Sequence, residues 1–134
     1  MTLQEAMIVA GIGCRKGVSV TEVLAAVEAA IAPDALAGRR PALLAAPAAK
    51  RNEAAIQGAA EVLGVRLIWI SQSALEAAGP RTLTHSARSL AAMNVHSVAE
   101  ASALAAAGPY ARLLTARLAL GPVTCALAQA ENPR

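Results

Sequence analysis

Apolar and polar residues alternate in blocks along this chain, and the period inside each block decides which element it predicts. Ala6 to Ala10 is a short apolar run closed by Gly11, which predicts a first strand over 6–11. Val20, Val23, Leu24, Val27 and Ile31 then recur at the spacing of one helix face. Ser19-Val20-Thr21-Glu22 opens that pattern as a capping box, and Pro33 stops it. Ala42 to Ala46, between Pro41 and Pro47, reads as a second strand. Lys50 to Leu63 reads as a second helix, with Ile56, Ala59, Ala60 and Leu63 on its buried side and Gly64 just past its end. Val65 to Ile70, β-branched and carrying Trp69, predicts the strongest strand, after which Ser71 or Ser73 caps a short helix ending near Gly79-Pro80.

The second half continues the pattern less regularly. Ser97-Val98-Ala99-Glu100 is another capping box, and Gly108-Pro109 ends its helix. Arg112 to Ala116 and Pro122 to Ala128 read as two final strands, joined through a turn containing Gly121-Pro122 into an antiparallel hairpin. Strands alternating with helices imply an α/β fold, a three-layer α/β/α arrangement whose mixed, mostly parallel sheet ends in that hairpin. At 134 residues the chain has enough length for one core, so a single domain over 1–130 with a short tail over 131–134 is expected.

Composition narrows the partners. Hydrophobic residues make up 56% of the chain, with no Phe, one Trp and one Tyr, so the core is built from Ala, Leu, Val and Ile. Such a core brings helices close to the sheet and offers no aromatic platform on which bases stack, which argues against nucleic acid. The net charge of +3 comes mostly from arginines, whose planar fork suits carboxylate or phosphate. A polyanionic small molecule fits that better than a membrane surface. No signal peptide or apolar span stands out, and Cys14 and Cys125 lie far apart without CxxC spacing. A cytoplasmic protein without disulfide, metal site or cofactor is the expectation.

Candidate chemistry gathers around Gly11-Ile12-Gly13-Cys14-Arg15-Lys16-Gly17, where glycines, two cations and a thiol follow the first strand. Glycines let backbone N–H groups approach a ligand, so this composition suits an anion-binding loop. It is neither a dinucleotide fingerprint, since three residues separate Gly13 from Gly17, nor a P-loop, since Val18 follows Gly17. Parallel strands would bring their carboxyl ends to one sheet edge, adding Lys50, Arg51, Ser71 and Gln72. The candidate ligand-binding set is therefore Gly11, Gly13, Cys14, Arg15, Lys16, Gly17, Lys50 and Ser71. Against it stands the reading of a plain strand-to-helix turn whose cations face water. Cys14 is either a nucleophile activated by its cations, with His85 or His96 as base, or a small packing residue. Cys125 reads as core, Trp69 as a core or partner-contact residue, and Glu100 as a cap with a general base as the alternative.

Three segments carry a resemblance. Val9-Ala10-Gly11-Ile12-Gly13-Cys14-Arg15-Lys16-Gly17, Val95-His96-Ser97-Val98-Ala99-Glu100-Ala101-Ser102-Ala103-Leu104 and the closing Leu113 to Ala128 resemble the CobE/CbiG C-terminal domain family of cobalamin biosynthesis. Three places depart from its pattern. Ala-Ala-Lys50 stands for Asp-x-Lys, Thr84-His85-Ser86-Ala87-Arg88 for a Pro-rich P-N-P-S-E-like segment, and Arg117 for a frequent lysine. The resemblance implies work on a corrin precursor, a contracted tetrapyrrole bearing many carboxylates. Longer family members open the lactone of a cobalt-precorrin and release a two-carbon fragment, whereas this chain matches their C-terminal part, as a stand-alone form of the aerobic, late-cobalt route. Two functions follow as expectations: a protein that carries a corrinoid intermediate between other cobalamin-pathway enzymes, or a hydrolase acting on a lactone or acyl group of the ring.

Overall fold

Strand β1, Ile8–Cys14, is the axis of the sheet in the computed structural model, which describes residues 7–32 and 39–130. The stop at Pro33 and the tail 131–134 lie outside the described residues. On one side β1 pairs in parallel with β2 (Leu43–Pro47), which pairs in parallel with β3 (Arg66–Ile70). On the other side it pairs antiparallel with β6 (Val123–Gln129), from Ile8 opposite Gln129 to Cys14 opposite Val123. Two short strands share the outer edge of β6: β4 (Arg112–Leu113) beside its end and β5 (Leu118–Leu120) beside its start. The order is β3-β2-β1-β6-β4.

Alternation along β1 sends its side chains to opposite faces. Ile8, Ala10 and Ile12 join Leu44, Cys125 and Leu127 against helices α1 (Val20–Ile31) and α2 (Ala54–Leu63). Val9, Ala45 and Ala128 face α3 (Gln72–Ala78) and α5 (Val98–Ala107) on the other side. A three-layer α/β/α architecture with a mixed sheet results. Ile12, Leu44, Ile56, Leu75, Leu104 and Leu127 are fully buried, each contributing about 1.5–3 kcal/mol by leaving water. Small residues set the spacing. An added Cβ at Gly11 would lie 2.6 Å from Ala103 N and 2.9 Å from Ala103 Cβ, so α5 rests directly on the β1 backbone.

Local signals at the helix ends are present where the sequence places them. Ser19 and Glu22 form the full capping box of α1, Ser71 caps α3, and Gly64 ends α2 with φ 72°.

Tertiary context moved several boundaries. The first strand runs on through Gly11 and Gly13 because β6 supplies ladder partners as far as Cys14, leaving only Arg15 to Val18 as the connection. The second helix does not begin at Lys50. Ala48–Lys50 is a single 3₁₀ turn, closed by the Arg51 and Glu53 N–H groups on Ala48 and Lys50 oxygens, and α2 starts only at Ala54. Arg112 to Ala116 is not one strand: it stops at Leu113 and pairing resumes at Leu118, so the tight hairpin through Gly121-Pro122 joins β5 and β6. Helix α4 (Ala87–Met93), unforeseen from the sequence, buries none of its residues and so lacks the apolar stripe that announces a helix.

Candidate functional site

The sheet edge where β1 and β2 end and β6 begins opens into a cleft of about 520 Å³. Its floor comes from Gly13, Cys14 and Thr124, and Pro47 and Lys50 close the β2 side. One wall is α4 along its length, with Ser86, Arg88, Ser89, Ala92 and Met93; the other is the β5–β6 hairpin with Arg117, Ala119, Gly121 and Pro122. Arg15 is tied to the hairpin by its N–H, which donates to the Pro122 oxygen at 3.1 Å. Thr124 donates its hydroxyl to the Gly13 oxygen at 3.3 Å, in the space the missing Gly13 side chain leaves.

Four cations therefore face one cleft: Arg15, Lys50, Arg88 and Arg117. No acidic residue is among the described residues that line it. Nor, among the described residues, do these four side chains have a hydrogen-bond or ion-pair partner. Between them lie Met93, Ala92, Val98, Pro47 and Pro122, an apolar strip within a cationic rim. Like charges gathered without partners repel one another, and an anion bound among them relieves that repulsion.

Of the residues singled out from the sequence, Gly13, Cys14, Arg15 and Lys50 line the cleft, whereas Gly11, Lys16, Gly17 and Ser71 do not. Gly11 is covered by α5. Gly17, at φ 80°, donates its N–H to Glu53 Oε1 at 3.1 Å, so that donor is already occupied. Ser71 accepts from Ala74 N as the cap of α3, and Gln72 donates to the Met93 oxygen at 2.7 Å. His85 is exposed, outside the lining and edge-on to His96, with ring centroids 4.7 Å apart. Burial pushes the Cys14 thiol above its ordinary value, with Lys50 opposing and Glu53 reinforcing the shift. Cys125 is fully buried and its thiol is pushed up to about 12. Among the described residues no three His, Cys, Asp or Glu side chains gather as a metal site, and no helix is long and apolar enough to cross a membrane.

Sequence reasoning missed Arg88, Met93 and Thr124, and misread Glu100. The Ser97 hydroxyl does accept the Glu100 N–H at 3.3 Å, but the Glu100 carboxylate turns away from the helix end. It accepts from Leu83 N, Thr84 N, the Thr84 hydroxyl and Arg117 N, and is wholly buried. Burial alone raises such a carboxyl; the Thr84, Arg117 and Leu83 bonds outweigh it and hold Glu100 below the usual carboxylate range. One signal was in the sequence: the Ala48-Ala49-Lys50 turn, the segment containing Ser86 and Arg88, and Arg117 are the three places that depart from the family pattern, and each supplies a cation that lines the cleft.

Comparison with known proteins agrees with this architecture. Residues 8–128 match the family described as Cobalamin synthesis G C-terminus, and the chain belongs to that family. It is a protein of cobalamin biosynthesis. Protein CobE of Sinorhizobium sp is 33% identical over 121 residues, covering 90% of this chain and 79% of that one. A crystal structure of CobE, a protein from the cobalamin (vitamin B12) biosynthetic pathway, superposes with a TM-score of 0.86 at 32% identity, covering 96% of this chain and 94% of the other. The cobalamin biosynthesis protein chiG from Agrobacterium tumefaciens str. C58 superposes with a TM-score of 0.74 at 42% identity, covering 94% and 100%.

Proposed function

We propose that this protein binds a corrin intermediate through the cleft and carries it between enzymes of the pathway. The observation behind this reading is the set of four unpartnered cations around an apolar strip. A corrin precursor is its complement: a flat apolar ring edged with acetate and propionate carboxylates. Arginine forks hold such carboxylates by charge-assisted hydrogen bonds worth roughly 1.5–3 kcal/mol each. A cleft of about 520 Å³ is in the range of small-molecule sites, yet it encloses only one edge of a macrocycle. The remaining edge stays accessible to the next enzyme, as a carrier requires. The thiol chemistry favours carrying over hydrolysis, because a Cys14 thiol held protonated by burial is a poor nucleophile.

Dicyanocobyrinic acid, a corrin with free carboxylates, and its fully methylated ester serve as probes in an absorbance titration. The acid should bind with one-to-one stoichiometry and the ester far more weakly. Arg88→Ala and Arg117→Ala should each weaken binding of the acid about tenfold or more. Equal binding of acid and ester, or unchanged affinity in a folded double variant, refutes the reading. Multiple-turnover release of a ring substituent from a lactone-bearing or acylated corrin would make the protein a hydrolase instead.

A further inference from the structure

We infer that Glu100 is a positioning residue for the cleft, a buried clamp that sets the gap between the Arg88 wall and the Arg117 wall; this rests on the corrinoid-binding reading. The two carboxylate oxygens divide the task. Oε1 accepts the Leu83 N–H at 2.6 Å and the Thr84 N–H at 3.0 Å, while Oε2 accepts the Thr84 hydroxyl at 2.6 Å and the Arg117 N–H at 2.8 Å. These donors come from segments 16 or 17 residues away on opposite sides of Glu100 in the chain. Leu83 and Thr84 lead into the Ser86 cap of α4, and Arg117 leads into β5.

Core packing holds α4 only at its end, where the half-buried Met93 meets the α3 and α5 side of the core; no residue of the helix is fully buried. Polar ties supply the rest. Glu100 secures the approach to its first turn, Ser89 donates to the Val95 oxygen at 2.8 Å, and Gln72 donates to the Met93 oxygen at 2.7 Å. Arg88 can face Arg117 across the cleft only while both segments are fastened to a common point, and Glu100 is the group they share.

A helix cap does not account for this carboxylate, since Ser97 caps α5 with its own hydroxyl. The carboxylate also contributes to stability, since an apolar side chain would leave the Leu83, Thr84 and Arg117 N–H groups without their acceptor. What a carboxylate offers here is acceptors only. Glutamine keeps one carbonyl oxygen for Leu83 and Thr84 but turns an NH₂ toward the Arg117 N–H, where two donors meet.

The test is a double-mutant cycle on dicyanocobyrinic acid binding, using the wild type, Glu100→Gln, Arg117→Ala and the pair. If Glu100 acts by placing Arg117, Glu100→Gln should weaken binding about tenfold alone and have almost no effect once Arg117 is alanine. Exchange of the Arg117 amide hydrogen should quicken in Glu100→Gln without ligand. Should Glu100→Gln fail to fold, Thr84→Val removes one clamp bond from the other wall, and its loss of affinity should vanish in an Arg88→Ala background. Unchanged affinity in Glu100→Gln, or an equal loss with and without Arg117, overturns the positioning role and leaves the carrier reading standing. Absence of any binding by the wild type overturns the carrier reading first.

Discussion

Replacing Gly11 by alanine separates the two roles open to the first glycine of the signature. Were Gly11 part of a ligand loop, the change would cost affinity and leave stability nearly untouched. The structure places it in mid-strand under α5. A Cβ there would sit inside contact distance of the Ala99 carbonyl oxygen, 2.6 Å from Ala103 N and 2.9 Å from Ala103 Cβ. Ordinary carbon contacts lie near ~3.5–4.0 Å, so α5 has to retreat by about 1 Å along part of its length. The obstacles are mostly backbone, which cannot rotate aside. Retreat also loosens Leu104 and Ala101 from Val9 and Ala128, with which they share one buried cluster. Overpacking of this kind costs about 1–3 kcal/mol, and rigid neighbours favour the upper end. The unfolded chain loses entropy on Gly→Ala, returning about 0.4–1 kcal/mol, for a net loss of about 2 kcal/mol. Urea denaturation should show that loss with an unchanged slope, and melting should fall by roughly 5–10 °C. Because α5 also carries Glu100 and Val98, the folded variant should bind corrinoid more weakly as well. A stability within about 0.5 kcal/mol of wild type would refute the close-packing account.

Three further outcomes follow from the same geometry. Lys50→Ala should weaken binding of dicyanocobyrinic acid about tenfold and Lys16→Ala far less, because only Lys50 lines the cleft; equal losses on titration would count against the cleft as the site. In the native protein Cys14 should react slowly with iodoacetamide at neutral pH and Cys125 not at all until unfolding, with bound corrinoid protecting Cys14, as peptide mass spectrometry of the labelled sites reads; rapid Cys14 labelling would reopen the nucleophile reading. Since the folded state holds the Glu100 carboxyl below its unfolded value, the clamp contributes in full above about pH 4.3 and is lost as pH falls through the lower folded value. The difference in urea midpoint between wild type and Glu100→Gln should therefore be flat at neutral pH and shrink in acid; growth toward acid would reverse the assigned shift.

What the sequence by itself determined are features that depend on residues within one turn of each other. Ser19 with Glu22, Ser71 with Ala74, and Gly64 after Leu63 make their hydrogen bonds locally, so their side chains reveal helix ends without knowledge of the rest. The apolar runs of β1, β2 and β3, separated by helical patterns, likewise implied a parallel sheet covered on both faces. The cleft is of another kind. Arg15 and Lys50 were visible beside their strands, but Arg88 and Arg117 reach the same space only because β6 runs back along β1, carries the hairpin to the end of Cys14 and leaves α4 opposite. Helix α4 has no buried stripe to announce it, and β1 extends through Gly11 and Gly13 because a strand more than a hundred residues away supplies its ladder partners. Glu100 shows the division within one residue. Its N–H is capped by Ser97, three residues back, and was legible, whereas its carboxylate serves Leu83, Thr84 and Arg117 and became intelligible only once packing had buried it among them. Short-range hydrogen bonding is written in spacing, but the convergence of charges from distant segments is decided by which faces the core draws together.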